Sequence, residues 1–566
     1  MEAEMKFSEM KYERPDIQAL IKLCDEVTAK IEAAQSAEEQ IKIYESAEKQ
    51  FIHASTMSSI AYVRHTINTK DEFYAAEKTF FNENGPLLGA GSQKMSLALL
   101  NSKFRPELEK HFGELVFKNL EISVRTFTPE NVPLMQEENR LTSEYQQLYA
   151  SATVEWEGEI LPLPMLGKYK LSPDREIRKK AYTKEGEFFD SHRAEFDELY
   201  DKLVKVRNQQ ARNLGHKNYI QLGYDNLGRN CYGYDDLVKF RAQIHSDLVP
   251  LTTQIKERQK ERIGVDNIEL YDDNFVFPEG NAQPYGTADE ILAAGREMYR
   301  EMSPETAEFI DFMYDNELLD VLSKEGKAPG GYCTQFPEYN SPFIFSNFNG
   351  TSGDVDVLTH EAGHAFAAFR AFKNGIPNML KDPTIEACEV HSMSMEFLTQ
   401  EHHDKFFKDK TPQYEYEHCA SALTFIPYGC MVDEFQHLMY ENEDLTPEER
   451  NKVWLGLEEK YRPYLSLGDL PFYGRGAGWQ RQLHIYIHPL YYIDYCMAQT
   501  VALTFWVKSL ENKEDAWKAY LGFVDLAGTK TFEELVHSVG MKLPYDNGAI
   551  AKIAQKAYVW LKDNEV

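Results

Sequence analysis

The residues of this chain best placed to do chemistry stand in one short run, His360-Glu361-Ala362-Gly363-His364. On a helix, residues four apart share a face and lie one turn apart. Two imidazoles so spaced can reach a single metal ion at bond lengths of about 2.0–2.1 Å. The Glu361 carboxylate projects beside the same point and could take a proton from a water held there. A catalytic metal of this kind needs a third protein ligand and one open position. The residues after His364 read Ala-Phe-Ala-Ala-Phe-Arg, so no third histidine follows on the same helix: Ala367 and Arg370 stand where a glycine and that histidine would be. The third ligand has to come from another element.

The next helical stretch offers carboxylates. Glu386 and Glu389 are three apart, and Glu396 lies seven beyond Glu389 on nearly the same line. Met393, Met395, Phe397 and Leu398 require one face of this helix to be buried. Spacing leaves Glu386 and Glu389 as equal candidates, with the loser as a carboxylate that orients a ligand histidine through its other nitrogen. Further along, Gly474-Arg-Gly-Ala-Gly478 reads as a flexible loop leading into His484, His488, Tyr491, Tyr492 and Tyr495. A Tyr O–H or His N–H facing a carbonyl under attack would share its growing negative charge, worth roughly 10²–10³ in rate per donor.

These residues need elements to position them, and most of the sequence reads as helix. Apolar spacing predicts helix from about Pro15 to Tyr62, over 104–122 and over 135–150. The motif helix could start at Ser352 or Asp354 and end at Asn374-Gly375, and the carboxylate helix could start at Asp382 with Pro383 in its first turn. Residues 328–351, with Gly330-Gly331 and Phe343-Ile-Phe345, read as strands and turns, and Thr153–Pro162 as a hairpin. Ser172-Pro173 looks like another helix start. A boundary near residue 170 therefore divides the chain into an N-terminal helical part, 1–170, and a catalytic part, 171–566.

The chain has 566 residues, enough for two or more domains or one large helical assembly, with 43% hydrophobic and 27% charged, ordinary values for a globular protein. Its net charge of −30 repels nucleic acid phosphate and anionic lipid, so neither is an expected partner. Seven scattered cysteines without a CxxC pair argue against a disulfide framework and a thiolate metal cluster, and fit a reducing cytoplasm. The charged start, MEAEMKFSEMKYERPD, has no apolar signal core, and nothing approaches the ~18 apolar residues of a membrane span.

His-Glu-Ala-Gly-His-Ala-Phe, followed 25 residues after its second histidine by Glu389-Val-His-Ser392-Met-Ser-Met-Glu396, resembles the thimet oligopeptidase and oligoendopeptidase F family. That resemblance selects Glu389 over Glu386 as the third ligand, through the E-x-x-S-x-x-x-E pattern. The Gly330-Gly-Tyr-Cys333 and Phe348-Asn-Gly-Thr351 stretches are similar to the run into the family's active helix, where an edge strand pairs with peptide. Tyr492-Ile-Asp-Tyr495 looks like the family's tyrosine segment, with Tyr495 as transition-state donor. His484 or His488 matches its active-site histidine, His484 by preference. The resemblance implies a mainly α, two-lobed helical metallopeptidase with a deep channel and a small β-sheet next to the motif helix. It also implies one Zn²⁺ per chain and short unfolded peptides as substrates, cut internally. A zinc exopeptidase or a non-catalytic zinc-containing peptide-binding protein is the alternative. Oligomeric state is not readable from the sequence.

Overall fold

The computed structural model describes residues 5–566. Helices dominate. Among the described residues, strands form only a hairpin, a two-residue parallel pair and one three-stranded sheet. The chain condenses into two compact units, each gathered from three stretches: residues up to 124, 283–409 and 508–541 make the first, and 125–282, 410–507 and 542–566 the second. A boundary at 170 divides the sequence linearly and falls inside the second unit, whereas the units themselves interleave along the chain.

The first unit opens with the helices Ile17–Ala33, Ala37–Ile67 and Glu72–Leu100. Each starts on a side-chain cap: Asp16, Ser36 and Asp71 accept the orphan N–H groups of the first turn. The Ser36 cap breaks the run expected from Pro15 to Tyr62 into two helices. Their apolar faces close on Cys24, Val27, Ile31, Met95 and Leu99.

The three-stranded sheet of this unit leads to the motif helix. Its central strand, Ser341–Phe348, is buried along most of its length and pairs parallel with Leu319–Leu322. On the other side it pairs antiparallel with the edge strand Tyr332–Phe336, Tyr332 facing Phe345 and Phe336 facing Ser341. A strand covered on both faces needs a continuous apolar run, and Pro342-Phe-Ile-Phe345 supplies one. The chain then turns through Asn349-Gly350-Thr351 into the histidine helix, Ser352–Lys373. Neither Ser352 nor Asp354 caps this helix, since Thr351 holds the cap position. The buried Asp354 carboxylate reaches back and accepts the N–H groups of Asn349, at 2.9 Å, and Gly350, at 2.7 Å, so it clamps the strand-to-helix turn. The helix ends at Asn374, with Gly375 left-handed at φ 65°.

The glutamate helix, Ile385–Leu398, starts from Thr384 rather than Asp382. Asp382 instead accepts a hydrogen bond from Gln335 Nε2 of the edge strand, at 2.7 Å. The helix Arg175–Ser191 repeats the pattern: its cap is Asp174, not Ser172. In both places the proline sits before the cap, holding the approach extended, and the helix begins two residues after it. The histidine and glutamate helices touch backbone to backbone. A Cβ on Gly363 would lie 2.6 Å from both the His391 carbonyl oxygen and Ser392 Cα.

In the second unit, the expected hairpin joins Thr153–Trp156 to Glu159–Pro162 through Glu157 and Gly158, at φ 54° and 90°. The long helix Thr411–Glu441, the short helix Leu483–Ile487 and the tyrosine helix Ile493–Glu511 as far as Val507 belong to this unit. No helix among the described residues is long and apolar enough to cross a membrane.

Candidate active site

The histidine helix places His360 and His364 one turn apart, with ring centroids 5.0 Å apart and planes 82° to each other. Both Nε2 atoms converge on one oxygen of the glutamate helix: Glu389 Oε2 lies 3.4 Å from His360 Nε2 and 3.5 Å from His364 Nε2. Two ligands around a tetrahedral ion with bonds of about 2.0–2.1 Å stand about 3.4 Å apart. The three donor atoms, all within 4.8 Å of one another, therefore fit a small divalent cation. Two imidazoles and one carboxylate also form the donor set that leaves a fourth position open.

Glu386 is not in this cluster. It is fully buried, and its Oε1 accepts from Thr384 Oγ1 at 2.5 Å, at the start of the glutamate helix. The carboxylate that holds a histidine of the cluster through its other nitrogen is Glu396: its Oε1 lies 2.7 Å from His360 Nδ1 and leaves Nε2 aimed at Glu389. The seven-residue spacing from Glu389 puts Glu396 two turns on along the same face, a signal that sequence reasoning noted without assigning. Ser392, one turn after Glu389, donates its hydroxyl to Glu389 Oε2 at 3.0 Å.

Electrostatics follow from this crowding. Burial opposes charge on Glu389, but His364 and His360 outweigh it and hold the carboxyl well below its ordinary range. Burial likewise opposes charge on His360, and the hydrogen bonds to Glu389 and Glu396 overcome it and raise the imidazole well above its usual value. Glu361 is 8% exposed, and burial raises its carboxyl while the two histidines pull it down. The edge strand begins against it: a Cβ on Gly331 would sit 3.6 Å from Glu361 Oε1.

The second unit gathers the other expected residues. His484 sits among three tyrosines, with centroids 5.0 Å from Tyr492 and 5.9 Å from both Tyr491 and Tyr495. His488 is exposed and is 6.0 Å from His484 and 6.3 Å from Tyr491. A residue that sequence reasoning missed decides the tautomer of His484. Tyr428 donates its hydroxyl to Gln482 Oε1 at 2.8 Å, which turns the Gln482 amide N–H₂ toward His484 Nδ1, at 2.9 Å. Nδ1 then accepts, so Nε2 carries the proton and is a donor.

The turn before the tyrosine helix is strained and buttressed. Leu490 is left-handed at φ 64° and fully buried. Its N–H donates to Gln436 Oε1 at 2.8 Å, and its carbonyl accepts from the Arg229 guanidinium at 2.6 Å. The same guanidinium pairs with Asp494 at 2.7 Å, both side chains being inaccessible to solvent. The glycines upstream are not a loose hinge. A Cβ on Gly476 would meet the Asn451 carbonyl oxygen at 2.3 Å, and one on Gly478 would meet Tyr473 at 3.1 Å. These glycines serve close packing rather than flexibility.

The family described as Peptidase M3 N-terminal domain matches residues 7–127, and Peptidase family M3 matches residues 168–554. Oligoendopeptidase F, chromosomal, of Lactococcus lactis subsp. cremoris is 24% identical over 306 residues, 52% of this chain and 49% of that protein. An oligoendopeptidase F homolog of Borreliella burgdorferi is 25% identical over 234 residues, 40% of this chain and 38% of its own. The matched region thus spans about half the length of the first relative and less of the second. Among solved structures, PZ peptidase A with an inhibitor superposes with a TM-score of 0.94 at 45% identity, over 99% of both chains. Oligoendopeptidase-F from Enterococcus faecium shares the fold at a TM-score of 0.64 and 17% identity, over 97% of this chain and 98% of that one.

Proposed function

Because the chain belongs to peptidase family M3, we propose that it is a zinc-dependent oligopeptidase that hydrolyses internal bonds of short, unfolded peptides. The convergence of His360 Nε2, His364 Nε2 and Glu389 Oε2 within 4.8 Å, beside the Glu361 carboxylate, carries this reading. His360, His364 and Glu389 would hold one Zn²⁺. When bound there, the ion supplies a Lewis acid that polarises the scissile carbonyl and makes a neighbouring water acidic.

Glu361 acts as general base: it takes the proton of the attacking water and then hands it to the leaving amine. Tyr495 O–H and His484 Nε2–H are the donors that receive the negative charge growing on the carbonyl oxygen. Glu396 fixes the ring of His360, and Ser392 holds the Glu389 carboxylate in place. The edge strand Tyr332–Phe336 offers main-chain groups for sequence-tolerant pairing with an extended peptide. The acidic composition and scattered cysteines support a reducing, cytoplasmic setting for this activity and argue against nucleic acid or an anionic membrane as partner.

The test is hydrolysis of a short internally quenched peptide with and without a zinc chelator, with products read by mass spectrometry. Internal cuts that the chelator abolishes and added zinc restores are expected. Release of single residues or dipeptides from one end only would make the enzyme an exopeptidase. Intact peptide in the presence of stoichiometric zinc would leave a peptide-binding protein.

A further inference from the structure

The second unit contains a cavity of about 280 Å³ that borders the His484 cluster. Gln482, which holds His484 Nδ1, lines it, and so do Phe425 and Tyr428, whose rings lie 5.7 and 6.0 Å from that of Tyr492. Its wall is mostly polar, with an aromatic and apolar part that includes Tyr464, Leu467 and Trp454. Three cations line it, and two of them are already engaged. Lys256 lies 2.8 Å from Asp273, and Arg462 forms a two-pronged pair with Glu458 at 2.7 and 2.8 Å.

The third, Arg481, is paired more loosely, its charge balanced by Glu185 without a direct hydrogen bond. Its nearest carboxylate oxygen, Glu185 Oε2, is 3.8 Å away, beyond hydrogen-bonding distance. Glu185 is already committed to Lys170 Nζ, at 2.7 Å, and to the Tyr473 hydroxyl. The Arg481 Nε is buried without a hydrogen-bond partner, while 39% of the side-chain surface remains accessible. The accessible remainder of this side chain lines the cavity, where its N–H groups can donate to a group that enters. The complementary group is a carboxylate, which accepts two parallel N–H bonds.

The geometry points to a carboxylate-binding subsite here, with Arg481 as the recognition residue and the aromatic wall taking the apolar part of the same ligand. It rests on the peptidase reading in one respect: the ligand is a peptide. The carboxylate is either the free C-terminus of that peptide or an Asp or Glu side chain near its end.

The experiment measures peptide affinity of the full-length Glu361→Gln protein by fluorescence anisotropy, so that turnover does not intervene. Three labelled peptides of one sequence are compared: a free acid, its C-terminal amide, and the amide with glutamate as last residue. The free acid is expected to bind at least ten-fold tighter than the plain amide. The additional Arg481→Met substitution should bring the two within about two-fold by weakening the acid alone. If the glutamate amide binds like the free acid, the subsite accepts any terminal-region carboxylate. If it binds like the plain amide, the subsite reads the chain terminus. Should Arg481→Met not fold, Arg481→Gln serves in its place. Equal affinities for acid and amide, a preference that survives loss of Arg481, or no binding of any of the three would overturn the subsite. Failure of the peptidase reading shows separately, as absence of chelator-sensitive hydrolysis by the unsubstituted protein.

Discussion

In the first unit the chemical groups come from two helices in contact at Gly363, and their partners lie within a turn or two along the same helices. In the second unit the His484–Tyr495 group comes from a short helix, a strained turn and the start of the tyrosine helix, and all its supports except Gln482 come from far away in sequence. Leu490 is held by Arg229 and Gln436, and His484 by a relay through Gln482 and Tyr428. A metal site tolerates little error, and helix spacing fixes its donor atoms directly. A site that donates hydrogen bonds to developing charge depends instead on orientation and tautomer, which other side chains must impose. A non-glycine residue held left-handed costs about 1–3 kcal/mol, and such strain persists only where its surroundings over-determine it.

The largest effects should come from splitting the first cluster into its two jobs. Glu361→Gln should lower turnover on the order of 10²–10⁴-fold, the usual worth of a positioned general base, while metal content stays stoichiometric. Glu389→Ala should abolish turnover by losing the metal, and Glu386→Ala should keep it. Metal analysis beside kcat separates the three variants. Equal metal retention in the two alanine variants would exchange the roles of the two glutamates.

The second cluster should respond next. Tyr495→Phe removes one donor without changing shape and should cost roughly 10²–10³ in kcat, with KM little changed. A loss confined to KM would make Tyr495 a binding residue and remove the contrast between the two clusters.

The contrast also explains what was legible in the sequence. The histidine pair, Glu361 and the choice of strands over 328–351 rest on local spacing, which a sequence displays. The hairpin at Thr153–Pro162 was legible for the same reason. The helix starts expected at Ser172 and Asp382 lie two residues early, because a proline can occupy either the first turn or the position before the cap, and only packing decides. Glu396 was visible as a residue on the ligand line, but its hydrogen bond to His360 was not, because that bond crosses between helices. The Gly474–Gly478 run was read as flexible because a glycine required for close approach and one required for mobility look alike in sequence. Arg229 and Gln436 carry no local signal at all, since their roles exist only once distant segments meet, and Gln482, though two residues from His484, is aimed only by the distant Tyr428.

Glu396→Gln tests whether the first cluster also depends on imposed orientation. An amide in place of the carboxylate weakens the hydrogen bond that aims His360, so metal affinity should fall about 10–100-fold with the fold intact. Competition with a chromophoric chelator measures it. Unchanged affinity would mean that helix geometry alone aims the ring.

Gln482→Leu should have the smallest effect and the most direct bearing on the second cluster. Leucine keeps the bulk and the wall of the cavity but removes the amide donor to His484 Nδ1, so the ring proton can reside on either nitrogen. Of the two neutral tautomers only the one protonated at Nε2 donates from that atom. Sharing the population costs about a factor of two, and loss of ring orientation adds to it, so kcat should fall less than about ten-fold and well short of the His484→Ala loss. The ¹⁵N shifts of the imidazole should change from one protonated nitrogen to an average of both. If the shifts change and kcat does not, His484 is a spectator of the reaction and Tyr495 is the sole donor of this cluster. If Gln482→Leu is as damaging as His484→Ala, the relay from Tyr428 is as necessary as the histidine it aims.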